Sequence, residues 1–417
     1  MSLNKLTSNN GFAKYVSQVF LASVAAAFIN FIFAPLLGLN SKGTSLGEIT
    51  TLLALYAIIS SLTAGMPGAV VMLLGNRPKR HSNVAKNILI AALGYCILLL
   101  VVLWFFGGFI ADSLHIQSHD LLLMISLFIF FSTPYSMNLG ILQYHKKFRL
   151  IGLYSLAGAF LKGVFGLYFI SFLDQTPVQA ITHALAITSF LLLALSLVSS
   201  LPLWKRSLQS GTDPTAFHKD VYPFFVGSTL VNMSVLLAFN MDIFMIRTHV
   251  LNESATYGAA LLLPSSIFYL SQAVALVILP YITGAQKKFD ITILRKFALL
   301  SPLVVFTLAG IFMVAGKALL RFFIAPELLD GNFTGFVAFA TFYYSLVAIY
   351  LVGGLVLISL KISRSVVISS VAIAGFLSIL FLQNVSILSI FTILIVYLLF
   401  LTGCTIRLWT KNQTNSI

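Results

Sequence analysis

Long apolar segments separated by short polar turns recur along the whole chain. Segments of about 20 apolar residues are long enough to cross a bilayer as helices. Twelve such segments lie near residues 15–39, 46–74, 87–111, 121–143, 150–171, 178–201, 223–246, 257–284, 297–318, 335–360, 365–383 and 387–408. We therefore expect an all-α polytopic membrane protein with twelve transmembrane helices, the last two divided by a weak turn signal at 383–386.

Composition supports this reading, because 59% of the residues are hydrophobic and only 9% are charged. Cys96 and Cys404 each lie inside an apolar segment, so neither a disulfide framework nor a metal site is expected. We expect no cofactor. Lys5 and Lys14 precede the first apolar segment, which is too long for a signal peptide and is expected to remain as the first helix.

The basic residues predict the orientation of the chain. With a cytoplasmic N-terminus, 20 of the 25 Lys and Arg residues fall in cytoplasmic segments, four fall outside, and Lys162 lies within a span. Such a bias is typical of membrane topology. It places both termini in the cytoplasm and explains the net charge of +14 without a nucleic-acid partner. The basic loops would contact anionic membrane lipids.

The chain divides near its midpoint. A polar cytoplasmic linker, residues 208–222, separates an N-terminal lobe of six helices, residues 1–207, from a C-terminal lobe, residues 223–417. An offset of 211 positions aligns Gly47 with Gly258 and Phe33 with Phe244. Because the offset joins helices of the same orientation, the repeat would be parallel.

Chemistry outside the membrane is not expected. No outer loop is long enough to fold as a catalytic domain, and the sequence has no phosphate-binding loop for ATP hydrolysis. We therefore expect that the protein is not an enzyme. The few polar residues inside the spans must carry most of the function.

Lys162 is the most informative of these polar residues. At helical spacing it shares a face with the small residues Ser155, Gly158, Ala159 and Gly166. A cation within a span is costly and usually faces a wet cavity or a partner. We predict that Lys162 faces a substrate cavity, although a structural pair with a carbonyl or carboxylate is the alternative.

Asp242 lies near the outer end of the seventh span. Ser228, Asn232 and Asp242 fall on one narrow stripe at about 100° per residue, whereas Asn240 points elsewhere. The stripe predicts a face toward an aqueous interior, with Asn232 in contact with substrate. Asp242 would couple an ion or pair with a cation such as Lys162 or Arg247; capping of a turn is the alternative.

Other polar residues are weaker candidates for the substrate site. Arg247 could bind an anionic group, because its planar guanidinium donates bidentately. Asn30 and Gln272 are candidate cavity residues, although most such residues form interhelical hydrogen bonds. Proline kinks are the candidate hinges. They are expected at Gly65, Pro67 and Gly68 in the second span and at Pro264 in the eighth.

Several of these motifs resemble the multidrug/oligosaccharidyl-lipid/polysaccharide exporter superfamily, in particular its polysaccharide (Wzx-like, O-antigen) flippases. The resemblance rests on Asn240-x-Asp242, Glu253-x-x-x-Tyr257-Gly258-x-Ala260, Pro280, Leu46-Gly47 and Gly65-Met-Pro67-Gly68. The length of the chain and its two halves fit as well. The resemblance implies a MATE-like fold, with two six-helix lobes around a cavity that opens alternately to each side.

The same resemblance implies a function in polysaccharide biosynthesis, such as that of lipopolysaccharide O-antigen. The substrate would be an undecaprenyl-diphosphate-linked oligosaccharide, flipped across the inner membrane with coupling to H⁺ or Na⁺. Lys162 and Arg247 would meet its diphosphate, and other polysaccharide assembly proteins would be partners. The family commonly places basic residues in the first span, whereas here only Lys14 lies at its edge.

Three alternatives remain. A drug/cation antiporter of the same fold would need an acidic cavity, for which only Asp242 is available. A major-facilitator carrier would need an acidic residue that the 75–80 loop lacks. A multi-span glycan polymerase or ligase would need a large outer loop.

Overall fold

The structure of the protein is a computed structural model. It describes residues 18–33 with gaps, 44–76, 82–116, 120–173, 175–208, 215–269, 271–272, several positions between 307 and 321, 326–329, 331–360, 362–380, 382 and 385–414. Within these ranges every regular element is helical. Predicted features in the remaining segments, including Pro280, most of the 297–318 span and both termini, lie outside the described residues.

Eleven helices are labelled here in chain order. They are α1 (Leu21–Asn30), α2 (Thr44–Asn76), α3 (Ser82–Ser113), α4 (Asp120–Tyr144), α5 (Phe148–Leu173), α6 (Pro177–Leu208), α7 (Thr215–His249), α8 (Ser254–Leu261), α9 (Phe333–Leu360), α10 (Ile362–Leu380) and α11 (Ile387–Thr414). Two short 3-10 turns lie at Leu251–Glu253 and Pro326–Leu329. The break between Leu380 and Ile387 separates the last two helices where the weak turn signal predicted it.

Eight of the described helices contain a stretch that is long and apolar enough to cross a membrane. Large apolar side chains cover the outside of the bundle, among them Trp104 at 80% exposure and Phe172 at 74%. Such side chains suit contact with lipid tails, and helices satisfy their own backbone hydrogen bonds there. The all-α polytopic fold predicted from hydropathy is therefore confirmed.

Helix α7 differs from its predicted bounds. It begins at Thr215, within the predicted linker, so Pro223 lies inside the helix and not at its start. Hydropathy marks where a helix enters the apolar layer, whereas the backbone hydrogen bonds that define a helix continue into polar sequence. Described helical structure therefore ends at Leu208 in α6 and resumes at Thr215 in α7.

The first half of the chain (α1–α6) and the second half (α7–α11) meet mainly where α2 packs along α7, with a smaller contact between α2 and α8. Glycine permits the close approach. A Cβ atom on Gly65 would lie 2.8 Å from Ser228 Oγ and 2.9 Å from the backbone nitrogen of Thr229, both on α7. Ser228 Oγ donates to the Gly65 carbonyl at 3.3 Å. Small residues of this kind draw membrane helices together.

The candidate hinge at Gly65, Pro67 and Gly68 lies in a continuous helix, since α2 runs unbroken through Pro67. Pro67 packs against α4, because a Cβ atom on Gly140 would lie 2.9 Å from both the Cα and the carbonyl oxygen of Pro67. The segment is thus held between α7 on one side and α4 on the other.

Replacing Gly140 with leucine is expected to destabilise the fold. The added side chain would overlap Val70 and Pro67 of α2, and overpacking of this kind typically costs about 1–3 kcal/mol. Thermal unfolding of the purified protein in detergent would show a lower Tm. Gly94→Leu on α3 is the matched control, because a Cβ at Gly94 has nothing within 4 Å. An unchanged Tm for Gly140→Leu would contradict the α2–α4 packing.

Candidate functional site

A cavity of about 350 Å³ lies between the two halves of the chain. In the first half of the chain, the cavity is lined by residues of α1, α2, α5 and α6 and by Phe33. In the second half, it is lined by residues of α7, α8 and α9 and by the residues that follow α8. Three of the predicted substrate residues line it: Asn30, Lys162 and Gln272. The structure therefore brings together residues that are far apart in sequence.

Lys162 stands on the first-half wall of the cavity. Its Nζ lies 5.9 Å from the centroid of the Phe33 ring, at the outer limit of a cation–π contact. Gly166, one turn along α5, leaves the space that the Phe33 ring fills. No acidic side chain pairs with Lys162 in the part of the chain that the structure describes. The Lys162 residue as a whole is half-buried.

Asn30 adds an amide to the same wall. Its Oδ1 atom is buried and accepts no hydrogen bond from any described residue. A buried acceptor without a partner is costly, so a ligand or water in the cavity would satisfy it.

The second-half wall combines apolar side chains with uncharged polar ones. Its described polar residues include Asn240, Ser265, Ser266, Tyr269 and Gln272. Asn240 Nδ2 donates to the Leu236 carbonyl at 2.7 Å, and the Ser265 and Ser266 hydroxyls donate to carbonyls of their own turn. Among all described lining residues, Lys162 is the one side chain with a formal charge.

Asp242 does not line the cavity. Its side chain is fully buried, and Oδ2 accepts hydrogen bonds from the hydroxyls of Tyr257 at 2.6 Å and Tyr344 at 3.0 Å. These bonds join α7, α8 and α9. Tyr344 also lines the cavity, so one side chain separates the carboxylate from the ligand space.

Ser228, Asn232 and Asp242, the predicted polar stripe of α7, are not among the described lining residues of this cavity. Ser228 is bonded to α2, Asn232 Nδ2 donates to the Ser228 carbonyl of its own helix at 2.8 Å, and Asp242 accepts from tyrosines. Leu236 and Asn240 of α7 border the cavity instead.

Arg247 also lies away from the cavity, at the end of the bundle that the charge distribution places outside; we call this the outer end. Its guanidinium donates to the carbonyls of Leu114 and His115, at 3.2 and 3.0 Å, and to Ser254 Oγ at 3.2 Å. His115 has a positive φ of 52° and ends α3 in a left-handed cap. Arg247 thus binds the C-terminal end of α3, where a cation is favourable.

The two glycines aligned by the offset meet at this outer end. A Cβ atom on Gly47 of α2 would lie 3.1 Å from the Ser254 Cβ of α8. A Cβ atom on Gly258 of α8 would lie 3.1 Å from Thr50 Oγ1 and 3.6 Å from the Leu46 carbonyl of α2. Together with the Arg247 bonds, this contact joins the two halves at the outer margin of the cavity, which Thr50 and Gly258 also line.

Pro264, the second candidate hinge, coincides with a break in the helix. α8 ends at Leu261, residues 262–264 form a turn, and helical structure resumes at 265. Tight i to i−3 hydrogen bonds cross the break, with Ser266 N to Leu263 O at 3.1 Å and Ile267 N to Pro264 O at 3.0 Å. Such local 3-10 geometry often marks a hinge, and here it lies in the cavity wall.

Asn240, Ser265 and Tyr269 line the cavity although the sequence does not predict them as site residues. The predicted stripe leaves Asn240 on another face of its helix, and a single serine or tyrosine in a span gives no sign of whether it meets lipid or a cavity. The motif Asn240-x-Asp242 was the available signal, since it marks two polar residues on different faces of one helix. In the described ranges no group of three or more His, Cys, Asp or Glu residues could hold a metal ion.

Comparison with known proteins shows similarity in structure alone. No family model matches the sequence, and no curated protein matches it. A multidrug-resistance MATE family transporter of the MOP superfamily, in an outward-facing conformation, is similar with a TM-score of 0.68 and 13% identity, over 97% of this chain and 96% of that one. The MATE transporter ClbM, in complex with Rb⁺, is similar with a TM-score of 0.64 and 15% identity, over 97% of this chain and 98% of that one.

A MOP superfamily transporter from Pyrococcus furiosus is also similar, with a TM-score of 0.64 and 12% identity, over 96% of this chain and 95% of that one. For that protein, reverse polarity of the binding pocket suggests a different function. These three solved structures are MATE and MOP transporters, and the chain has their fold.

Proposed function

We propose that this protein flips an undecaprenyl-diphosphate-linked oligosaccharide from the cytoplasmic to the outer leaflet of the inner membrane by alternating access. The observation that carries the proposal is the charge of the cavity. Lys162 is the one formally charged side chain among its described lining residues, and it is a cation. A diphosphate is the anionic group of such a substrate, and an ammonium group binds it as a point charge.

The same observation weighs against a drug/cation antiporter. An organic cation would meet Lys162 with like charge, and Asp242 is enclosed by Tyr257 and Tyr344 behind the wall. Polarity of the pocket is a sound basis for separating proteins of one fold, because fold alone does not define function. The Pyrococcus furiosus transporter is one for which pocket polarity suggests a different function.

Conformational change would follow from the arrangement of the halves. The contacts of Gly47, Gly258 and Arg247 close the outer end, and the break at Pro264 lies where one wall could bend. H⁺ or Na⁺ at Asp242 would supply the energy, and Tyr344, which lines the cavity and donates to Asp242, would link the two sites. Other polysaccharide assembly proteins would deliver and consume the substrate.

Lys162→Ala tests the proposal directly. In a strain without its own copy of the gene, this variant is expected to lower surface glycan about tenfold or more, because a lost charge-assisted contact is worth roughly 1.5–3 kcal/mol. Lys162→Arg is expected to keep most of the export. Lipid-linked repeats should accumulate on the cytoplasmic face. Staining of surface glycan would measure export, and labelling of the repeats from one side of the membrane would show in which leaflet they lie.

Arg321→Ala is the matched control, since Arg321 is an exposed cation outside the cavity. Removing an outer cation leaves the predicted orientation favoured, so export should be unchanged. Wild-type glycan with Lys162→Ala would contradict the diphosphate role. Export of organic cations by the wild-type protein, with normal glycan in the deletion strain, would favour the antiporter instead.

A further inference from the structure

The chain lines the cavity on both sides of the Pro264 break. The lining residues are Gly258, Leu261 and Leu262 before the break and Ser265, Ser266, Phe268, Tyr269 and Gln272 after it. Ser265, Tyr269 and Gln272 follow one another at spacings of four and three residues, which keep side chains on one side of a helix. This face carries a hydroxyl, a phenol and an amide.

Tyr269 is the largest group on this face and is 43% exposed. Its ring meets Phe239 edge-on at 5.7 Å between centroids and Phe268 at 6.1 Å. Phe239 and Phe268 are themselves buried and stacked at 3.9 Å. The phenylalanine pair therefore fixes the Tyr269 ring from behind. No other ring contacts Tyr269 within the described part of the chain.

The two walls of the cavity differ in chemistry. The first-half wall carries Lys162 and the unsatisfied Asn30 oxygen, whereas the face with Tyr269 and Gln272 has no formal charge. A ligand that satisfies both walls has an anionic part and, a short distance away, a neutral part rich in hydroxyl groups.

We propose that Ser265, Tyr269 and Gln272 form a sugar subsite, which rests on the proposed function and extends it. A pyranose ring has one face of C–H bonds, and these pack on the electron-rich face of an aromatic ring. The Gln272 amide, which both donates and accepts, binds the hydroxyl groups at the ring edge. The first sugar of the substrate then lies on the second half while its diphosphate lies at Lys162 on the first.

The isoprenoid chain is a poorer occupant of this face. An apolar chain would leave the amide of Gln272 without a hydrogen-bond partner, and such desolvation is costly. The many lipid-exposed apolar side chains on the outside of the bundle are a better surface for that chain. Because the ligand bridges the halves, this subsite also makes recognition of the sugar depend on the closed arrangement of both walls.

Binding to the full-length protein in nanodiscs tests the subsite with two probes of equal charge. One is farnesyl diphosphate carrying a single N-acetylhexosamine, and the other is farnesyl diphosphate capped with a methyl group. The wild-type protein is expected to bind the sugar-bearing probe roughly tenfold more tightly. Tyr269→Ala and Gln272→Ala should each remove most of that preference and leave the Kd of the methyl-capped probe within about twofold.

Tyr269→Phe should keep most of the preference, because the ring remains. Tyr168→Ala is the matched control, since Tyr168 on α5 is 47% exposed and does not line the cavity.

Equal binding of the two probes by the wild-type protein, or a preference that survives Tyr269→Ala, would overturn the subsite. If Lys162→Ala still weakened binding of the methyl-capped probe in that case, the proposed function would stand without the sugar subsite. If neither probe bound and tetraphenylphosphonium did, both proposals would fail.

Discussion

A disulfide between Gly47→Cys and Ser254→Cys is expected to stop transport completely and reversibly. The Cβ of Ser254 lies 3.1 Å from the position of a Cβ on Gly47, and a small separation brings the pair into the range that disulfides require. The two positions belong to α2 and α8, in different halves of the chain. Alternating access requires the halves to separate at this end, and a covalent bond across it would prevent that.

Glycan export in cells would be measured after treatment with an oxidant and again after a thiol reductant. Thiol labelling before and after reduction would count the cross-linked fraction. Each single cysteine variant serves as a control and should respond to neither reagent. Normal export by a fully cross-linked protein would contradict outer-end opening as part of the cycle. Native Cys96 is buried, which keeps it from competing for the bond.

Asp242→Asn is expected to lower gradient-driven transport about tenfold or more, if Asp242 couples an ion as proposed. The asparagine oxygen can still accept from Tyr257 and Tyr344, so the contacts among α7, α8 and α9 remain. What the amide loses is the ability to take up a proton or to carry the negative charge that binds Na⁺. Flipping of a fluorescent lipid-linked sugar in proteoliposomes, with and without an imposed H⁺ or Na⁺ gradient, would measure the loss.

Tyr257→Phe separates coupling from packing in this cluster. It removes one hydrogen bond to the carboxylate but leaves Asp242 ionisable, and the effect on the gradient-driven rate should be much smaller than that of Asp242→Asn. Asp242→Ala would be a poor substitute, because it leaves two buried hydroxyls without an acceptor at about 1–3 kcal/mol each. A gradient-driven rate in Asp242→Asn equal to that of the wild type would exclude this carboxylate as the coupling site.

The helices were predictable because a bilayer imposes a length and a hydropathy on each span, whatever the helix touches. The convergence of Asn30, Lys162 and Gln272 was partly predictable for a related reason, since polar groups within spans avoid lipid. Where each polar face points was not predictable. Asp242 is enclosed by Tyr257, 15 positions away, and by Tyr344, 102 positions away.

Proline shows the same limit of sequence reasoning. Pro67 and Pro264 were both predicted to mark hinges, yet α2 continues through Pro67 while the helix breaks at Pro264. Pro67 packs against Gly140 of α4, whereas the residues on either side of Pro264 border the cavity. These surroundings come from residues far away in the sequence, so no pattern of nearby residues predicts them.

The glycine contact at the outer end is reciprocal. Gly47 touches the first turn of the helix that carries Gly258, and Gly258 touches the first turns of the helix that carries Gly47. An interface in which one patch meets its own duplicate is the arrangement found in twofold-symmetric homodimers. If the two halves are the parallel repeat that the offset of 211 positions predicts, a single fused chain would have inherited its closure from a dimer of one half.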